Sequence, residues 1–196
     1  MWALIEDGSI TKLINNPKAM VIGDIQYSRN IFSFRWSNEE REAIGLYEIV
    51  FDNTNKKDEA YYTNTNQSFA FAGGVVTASY GSATANPHAD TLFTAQDEID
   101  GKGTEGEVAV EGLKTVRIRT VKQQAAGELQ ITDWYVVRKA DAGTAVPSAI
   151  TTHRAAVRTK CAEMETAITN AADTPALETL YTYTRQEDDS VTRPLG

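Results

Sequence analysis

Apolar and polar positions alternate in short runs over the first third of the chain, then give way to a longer period. In "WALIEDGSITKLI" the pair Asp7-Gly8 separates two apolar, partly β-branched runs, which predicts a hairpin whose turn needs positive φ. "NNP" at 15–17 breaks the chain, and "KAMVIGDIQYSRNIFSF" supplies two further strands about Gly23-Asp24. Ser37 followed three residues later by Glu40 is a capping-box pattern, so a short helix starts there and leaves through Gly45. "LYEIVFD" resumes a strand. The Asn- and Thr-rich text from 52 to 68 suits turns around one exposed strand at 60–63, and "SFAFAGGVVTASYG" reads as a second hairpin about Gly73-Gly74.

From 83 to 110 the periodicity is weak and the stretch carries glycines, acids and one proline, which predicts a flexible connector. After Gly112 the period becomes helical. Leu113, Arg117, Val121, Ala125 and Leu129 recur every four residues with Val116 beside them, although the alternation over 116–119 would also suit a strand. Thr132 or Asp133 is placed to cap a short helix with Trp134 and Val137 on one face and Gly143 as its stop. That face predicts Trp134 as a packing anchor between the short helix and the next. Pro147 suits the first turn of a long helix. Its apolar stripe is Ile150, Val157, Cys161, Met164, Ile168 and Ala171, with Arg154 in the gap. So narrow a stripe meets either the helix at 113–129 of the same chain or a helix of another chain, and Arg154 must mark the end of the contact or pair across it. Thr174 and Pro175 open a brief last helix, and the tail reads as extended. The expected fold class is therefore α+β: a mostly antiparallel β-domain (1–82), the connector (83–110), a helical assembly module (111–184) and the tail (185–196).

Composition adds limits. With 41% hydrophobic and 23% charged residues the chain has enough apolar material to fold. Cys161 is the sole cysteine, which excludes an intrachain disulfide and any multi-cysteine zinc site. "MWALIEDGSI" lacks the basic and apolar regions of a signal peptide, and no apolar run approaches a membrane span. The net charge of −8 argues against a dedicated nucleic-acid binder. Residues 111–160 nevertheless hold nine Lys/Arg against four acids, a basic region that is solvated or faces an acidic surface.

Candidate chemistry is sparse, and no catalytic residue, cofactor or metal ligand is expected. His88 and His153 lie far apart, and Cys161 sits on the apolar stripe, where a cysteine is ordinarily a small hydrophobe. "SITK" at 9–12 has the letters of the Ser-x-x-Lys acylation motif but follows a hairpin turn, whereas that chemistry needs both groups on one turn of a helix. "DEIDGKGTEGE" at 97–107 matches neither calcium-loop nor Walker spacing, so it reads as an acidic loop.

Three stretches carry a resemblance. "MWALIEDGSITKLINNPKAMVIGDIQYSRNIFS", "VFDNTNKKDEAYYTNTNQSF" and "TDWYVVRKADAGTAVPSAITTHRAAVRTK" resemble a family of small uncharacterised virion and tail proteins of marine tailed bacteriophages. The last stretch also looks like the helical module near the ends of tail-fibre and tail-fibre-assembly proteins, through Thr132, Asp133, Trp134, Pro147, Arg154 and Arg158. The resemblance implies a virion component of the tail, fibre or baseplate, assembled in the host bacterial cytoplasm, whose partners are other tail proteins and copies of itself. It implies no enzyme. The alternative is a tail-fibre assembly chaperone absent from the mature particle. On either reading the expected interface residues are Trp134, Val137, Ile150, Arg154, Val157, Cys161, Met164 and Ile168.

Overall fold

The computed structural model describes residues 1–193, and the chain divides into two compact units, Met1–Thr84 and a second that starts at Ala85. The class is α+β, with a mostly antiparallel β region followed by helices.

In the first unit β1 (Trp2–Glu6) and β2 (Ser9–Ile14) form the expected hairpin, turning through Asp7 and Gly8 at φ 49° and 73°. Leu4 pairs with Lys12 and Ile5 with Ile10, so the register shifts by one residue at Thr11. That bulge matters for packing. Ile10 and Ile14 would otherwise share a face, and instead Ile14 joins Trp2 and Leu4 on one side while Ile10 joins Ile5 on the other. A second hairpin, β3 (Met20–Ile22) and β4 (Ile25–Tyr27), leads to a 3-10 turn at Arg29–Phe32 and to α1 (Asn38–Glu42). The Ser37 hydroxyl accepts from the Glu40 amide and the Glu40 carboxylate accepts from the Ser37 amide, completing the capping box. β5 (Leu46–Asp52) follows, then the two-residue β6 (Tyr62–Thr63), the hairpin β7 (Ser68–Ala72) and β8 (Val75–Ser79), and the two-residue β9 (Thr84–Ala85).

The main sheet has the order β2-β1-β5-β8-β7, with β5 and β8 parallel and the other pairs antiparallel. Both faces are apolar. Trp2, Leu4, Ile14 and Leu46 are covered by Met20 and Ile31 from the β3-to-α1 segment. Ala3, Ile49, Val76 and Ala78 form the other cluster, flanked by Phe69 and Phe71, and the edge strands β2 and β7 approach each other around it. A buried arginine fastens the first face. Arg41 donates from Nε to the Ile31 carbonyl at 2.9 Å and from Nη1 to Asn38 Oδ1 at 2.9 Å, reaches the Ser33 carbonyl through Nη2, and lies 4.9 Å from the Trp2 ring centroid.

The second unit opens with residues expected as a flexible connector, and here the structure differs. β10 (Thr91–Leu92) pairs with β11 (Val108–Val110) across α2 (Ala95–Ile99), so 83–110 carries regular structure and its greater part belongs to the helical unit. The physical reason is local. Thr94 and Asp97 form a capping box, with the Thr94 hydroxyl 2.7 Å from Asp97 Oδ2, and Lys102 meets both Asp97 and Asp100 at 3.0 Å. Asp97 and Asp100, two of the acids that suggested mobility, are engaged. Then come α3 (Leu113–Gln130), α4 (Asp133–Ala142), α5 (Ser148–Asn170) and α6 (Thr174–Tyr181). The tail expected as extended instead folds back, as β12 (Thr184–Arg185) pairs with β13 (Val191–Thr192) through a turn in which Asp189 has φ 64°. Residues 194–196 of that expectation lie outside the described residues.

Two outcomes follow from this geometry. Gly45 has φ +80°, its carbonyl oxygen accepts from the Ile5 amide at 2.7 Å, and a Cβ there would overlap the Ile5 carbonyl oxygen. Gly45→Ala should therefore destabilise the first unit by about 2 kcal/mol or more, read by chemical denaturation. Asp97 is held down at about 2 from 3.8, first by the Thr94 hydroxyl and amide and then by Lys102. A depressed carboxyl contributes its stabilisation above its ordinary value and loses it as pH falls towards the folded value. The α2 cap should thus be intact at neutral pH and open between about pH 4 and pH 2, with the Asp97 carboxyl carbon titrating in that window by NMR.

Candidate functional site

The helical unit is organised around α3 and α5, which run antiparallel. Three polar contacts fix their register: Lys114 Nζ donates to the Thr169 carbonyl at 2.7 Å, Lys122 pairs with Glu165 at 3.1 Å, and Arg154 Nη1 donates to the Leu129 carbonyl at 2.7 Å. The third is the most enclosed, because the Arg154 side chain is only 13% exposed. Its Nη1 also lies 2.7 Å from Thr132 Oγ1 and 2.9 Å from Asp133 Oδ1. The last carbonyls of a helix lack intrahelical donors and carry the negative end of its dipole, so a cation that fills that position is favoured twice. The charge in the apolar stripe is therefore paired, with Asp133 of its own chain.

This use of Arg154 changes the role of the neighbouring residues. Thr132, expected as a cap for α4, donates its hydroxyl to the Leu129 carbonyl at 3.0 Å and makes no side-chain cap to α4. Asp133 becomes the first residue of α4 and answers the guanidinium. Gly143 ends α4 at φ 68°, as its position implied.

Trp134 is not a buried anchor. It is 52% exposed, and Val137 is 64% exposed. The half-buried pair on α4 is Tyr135 and Arg138, one position further on. In a ten-residue helix the pairs 134/137 and 135/138 both have i, i+3 spacing, so the apolar content of Trp134 and Val137 alone does not set which face turns inward. Trp134 stacks on Tyr135 with centroids 4.1 Å apart, and the Arg138 guanidinium lies 4.6 Å from the Trp134 ring and 5.5 Å from the Tyr135 ring. With Ile131, 73% exposed, these side chains make an aromatic and aliphatic corner held in shape by a cation.

The expected stripe on α5 does meet α3. Ile168 is fully buried, while Ile150, Val157, Cys161 and Met164 are half-buried. Val121, Ala125, Val157, Cys161 and Met164 line a groove of about 380 Å³ between the two helices. At its far end the pair is closed by Ala171, Thr174 and Leu177, and by the segment 86–90. The Thr174 hydroxyl donates to the Asn86 carbonyl at 3.1 Å, His88 Nε2 lies 2.9 Å from the Ala171 carbonyl, and Asp90 accepts from the Gly112 amide at 2.6 Å and from Thr115 Oγ1 at 2.9 Å. His88 is thus part of the clasp that joins this segment to the α5–α6 corner, a role that its place beside Pro87 did not signal.

The remaining candidates for chemistry have local explanations. Burial pushes the Cys161 thiol above its ordinary value, and the Glu165 carboxylate that accepts a hydrogen bond from it at 3.3 Å pushes it further, which is the opposite of thiolate activation. Ser9 and Lys12 lie on β2, with the bulge between them, and not on one helical turn. Among the described residues no group of three or more His, Cys, Asp or Glu is arranged to hold a metal ion, and no helix is long and apolar enough to cross a membrane.

No family model, no curated protein and no solved structure matches the chain. Removal of the guanidinium in Arg154→Ala takes a charged donor from the Leu129 carbonyl and from Thr132 Oγ1 and leaves Asp133 without its cation, and should lower the stability of the helical unit by about 2 kcal/mol. Asp133→Asn, at a side chain more than half exposed, should cost under about 1 kcal/mol. Thermal unfolding of the two variants, followed by circular dichroism at 222 nm, checks the order.

Proposed function

We propose that the protein is a structural component of a tailed-phage virion, in its tail, fibre or baseplate, and that it acts through protein–protein assembly. The observation that carries this reading is the incomplete burial of the helical unit. Among the described residues its buried apolar side chains are Val121, Ile168, Ala171 and Leu177, a shorter set than that of the smaller β unit. A fully buried aliphatic side chain contributes about 1.5–3 kcal/mol, and ordering each residue's backbone costs about 1–2 kcal/mol. A unit of this kind gains when its groove and its Trp134 corner are covered. Repeated contact with neighbours in a particle supplies such cover.

The resemblance of the first, middle and closing stretches to marine phage virion and tail proteins gives that assembly its setting, with synthesis and assembly in the host cytoplasm. Basic side chains on α4 and α5, Lys139 and Arg158, line a separate hollow with Val136 and Arg154 and give it a charge suited to acidic neighbours.

Quantitative mass spectrometry of purified virions tests the reading. A fixed copy number relative to the major tail proteins, retained after high-salt washing, is the expected result. Presence in infected cells but absence from finished particles would replace the structural role with that of an assembly chaperone.

A further inference from the structure

We infer that the groove between α3 and α5 is covered by the same groove of a second copy, the two helical pairs meeting about a two-fold axis to complete a four-helix core. The inference rests on the assembly reading above and names one of its partners.

Three features of the groove lead to this occupant. Its floor is apolar and stepped, with small side chains at Ala125 and Ala156 beside larger ones at Val121, Val157, Cys161 and Met164, the alternation that lets helices nest. Only one layer of helix lies under that floor, because α3 and α5 pack on each other and leave the groove half-exposed. A two-helix layer buries one stripe, and a second layer of the same shape doubles the burial.

The third feature is charge, and it decides for a second copy over an unrelated apolar partner. Glu128 on α3 and Lys160 on α5 border the groove on opposite sides. Among the described residues neither makes an ion pair or a side-chain hydrogen bond within the chain, whereas the nearby Lys122 and Glu165 pair with each other at 3.1 Å. One free acid and one free base on opposite rims form a self-complementary arrangement. A two-fold axis normal to the groove exchanges the rims, so each copy's Glu128 comes over the α5 of the other, where Lys160 lies. Both pairs form or neither does.

Sedimentation equilibrium of the full chain and of two charge reversals tests this. The wild-type chain should be dimeric. Glu128→Lys places two like-charged pairs in the contact, as does Lys160→Glu, and each variant alone should dissociate at least about tenfold more readily. Mixing the two variants restores both opposite-charge pairs, and the mixture should form a heterodimer at least as tight as the wild type. Circular dichroism of each variant separates loss of association from loss of fold. A monomeric wild-type chain overturns the inference, as do single reversals that leave the dimer intact and a mixture that does not reassociate. None of these results depends on whether the protein is found in virions, so failure here is distinct from failure of the virion reading.

Discussion

The carbonyl end of α3 is the constraint from which the rest of the helical unit follows. Near that end the Leu129 carbonyl accepts from the amide and hydroxyl of Thr132, and Arg154 reaches across from α5 to add a charged donor. Because that guanidinium is largely enclosed, it also requires an anion, and Asp133 provides it from the first position of α4. One side chain thus sets where α3 stops, where α4 begins and how α5 lies along α3. Lys114 and Lys122 extend the same antiparallel register towards the far end. With Thr132 and Asp133 committed to the clasp, α4 turns Tyr135 and Arg138 inward and leaves Trp134 and Val137 outside. The apolar corner is a consequence of satisfying the arginine.

The β unit meets the same demand and reaches a different result. Arg41 is buried and its donors go to the Ile31 and Ser33 carbonyls and to Asn38, so backbone and amide oxygens, not a carboxylate, absorb its charge. Around it the sheet has two apolar faces, one covered by a following segment and one enclosed by the approach of β2 to β7. That unit finishes its own core. The helical unit, with more residues and fewer buried ones, does not, and its open groove and aromatic corner are what the assembly reading uses.

Sequence was most legible where structure is local. The Asp7-Gly8 turn, the Ser37/Glu40 box, the glycine at the end of α4 and the period of α3 all depend on residues within a few positions of one another. Three kinds of feature were not. The parallel pairing of β5 with β8 joins strands that have β6 and β7 between them in the chain, and nothing in either strand specifies its neighbour. The bulge at Thr11 decides which face Ile10 occupies, yet only the pairing reveals it. Residues 83–110 read as unstructured because acids and glycines break up any apolar period, while the Thr94/Asp97 box and the hydrogen bonds of Asp90 to Gly112 and Thr115 hold them. For the candidate interface, the α5 stripe was legible from its spacing and Trp134 was misassigned, since burial of an aromatic depends on helix phase as well as size. Arg154 was recognised as needing a partner; that the partner would be a helix end plus Asp133 required the α3–α5 register.

The central claim is that Arg154 joins the end of α3 and the first half of α5 into one cooperative element. Native-state hydrogen exchange tests it most directly. Amides over 125–131 and 152–158 should open together, with the same free energy and the same response to denaturant, and should be more protected than those of α4. Independent and faster exchange over 152–158, with the end of α3 still protected, would show that the two segments are not coupled through the arginine and would contradict the account.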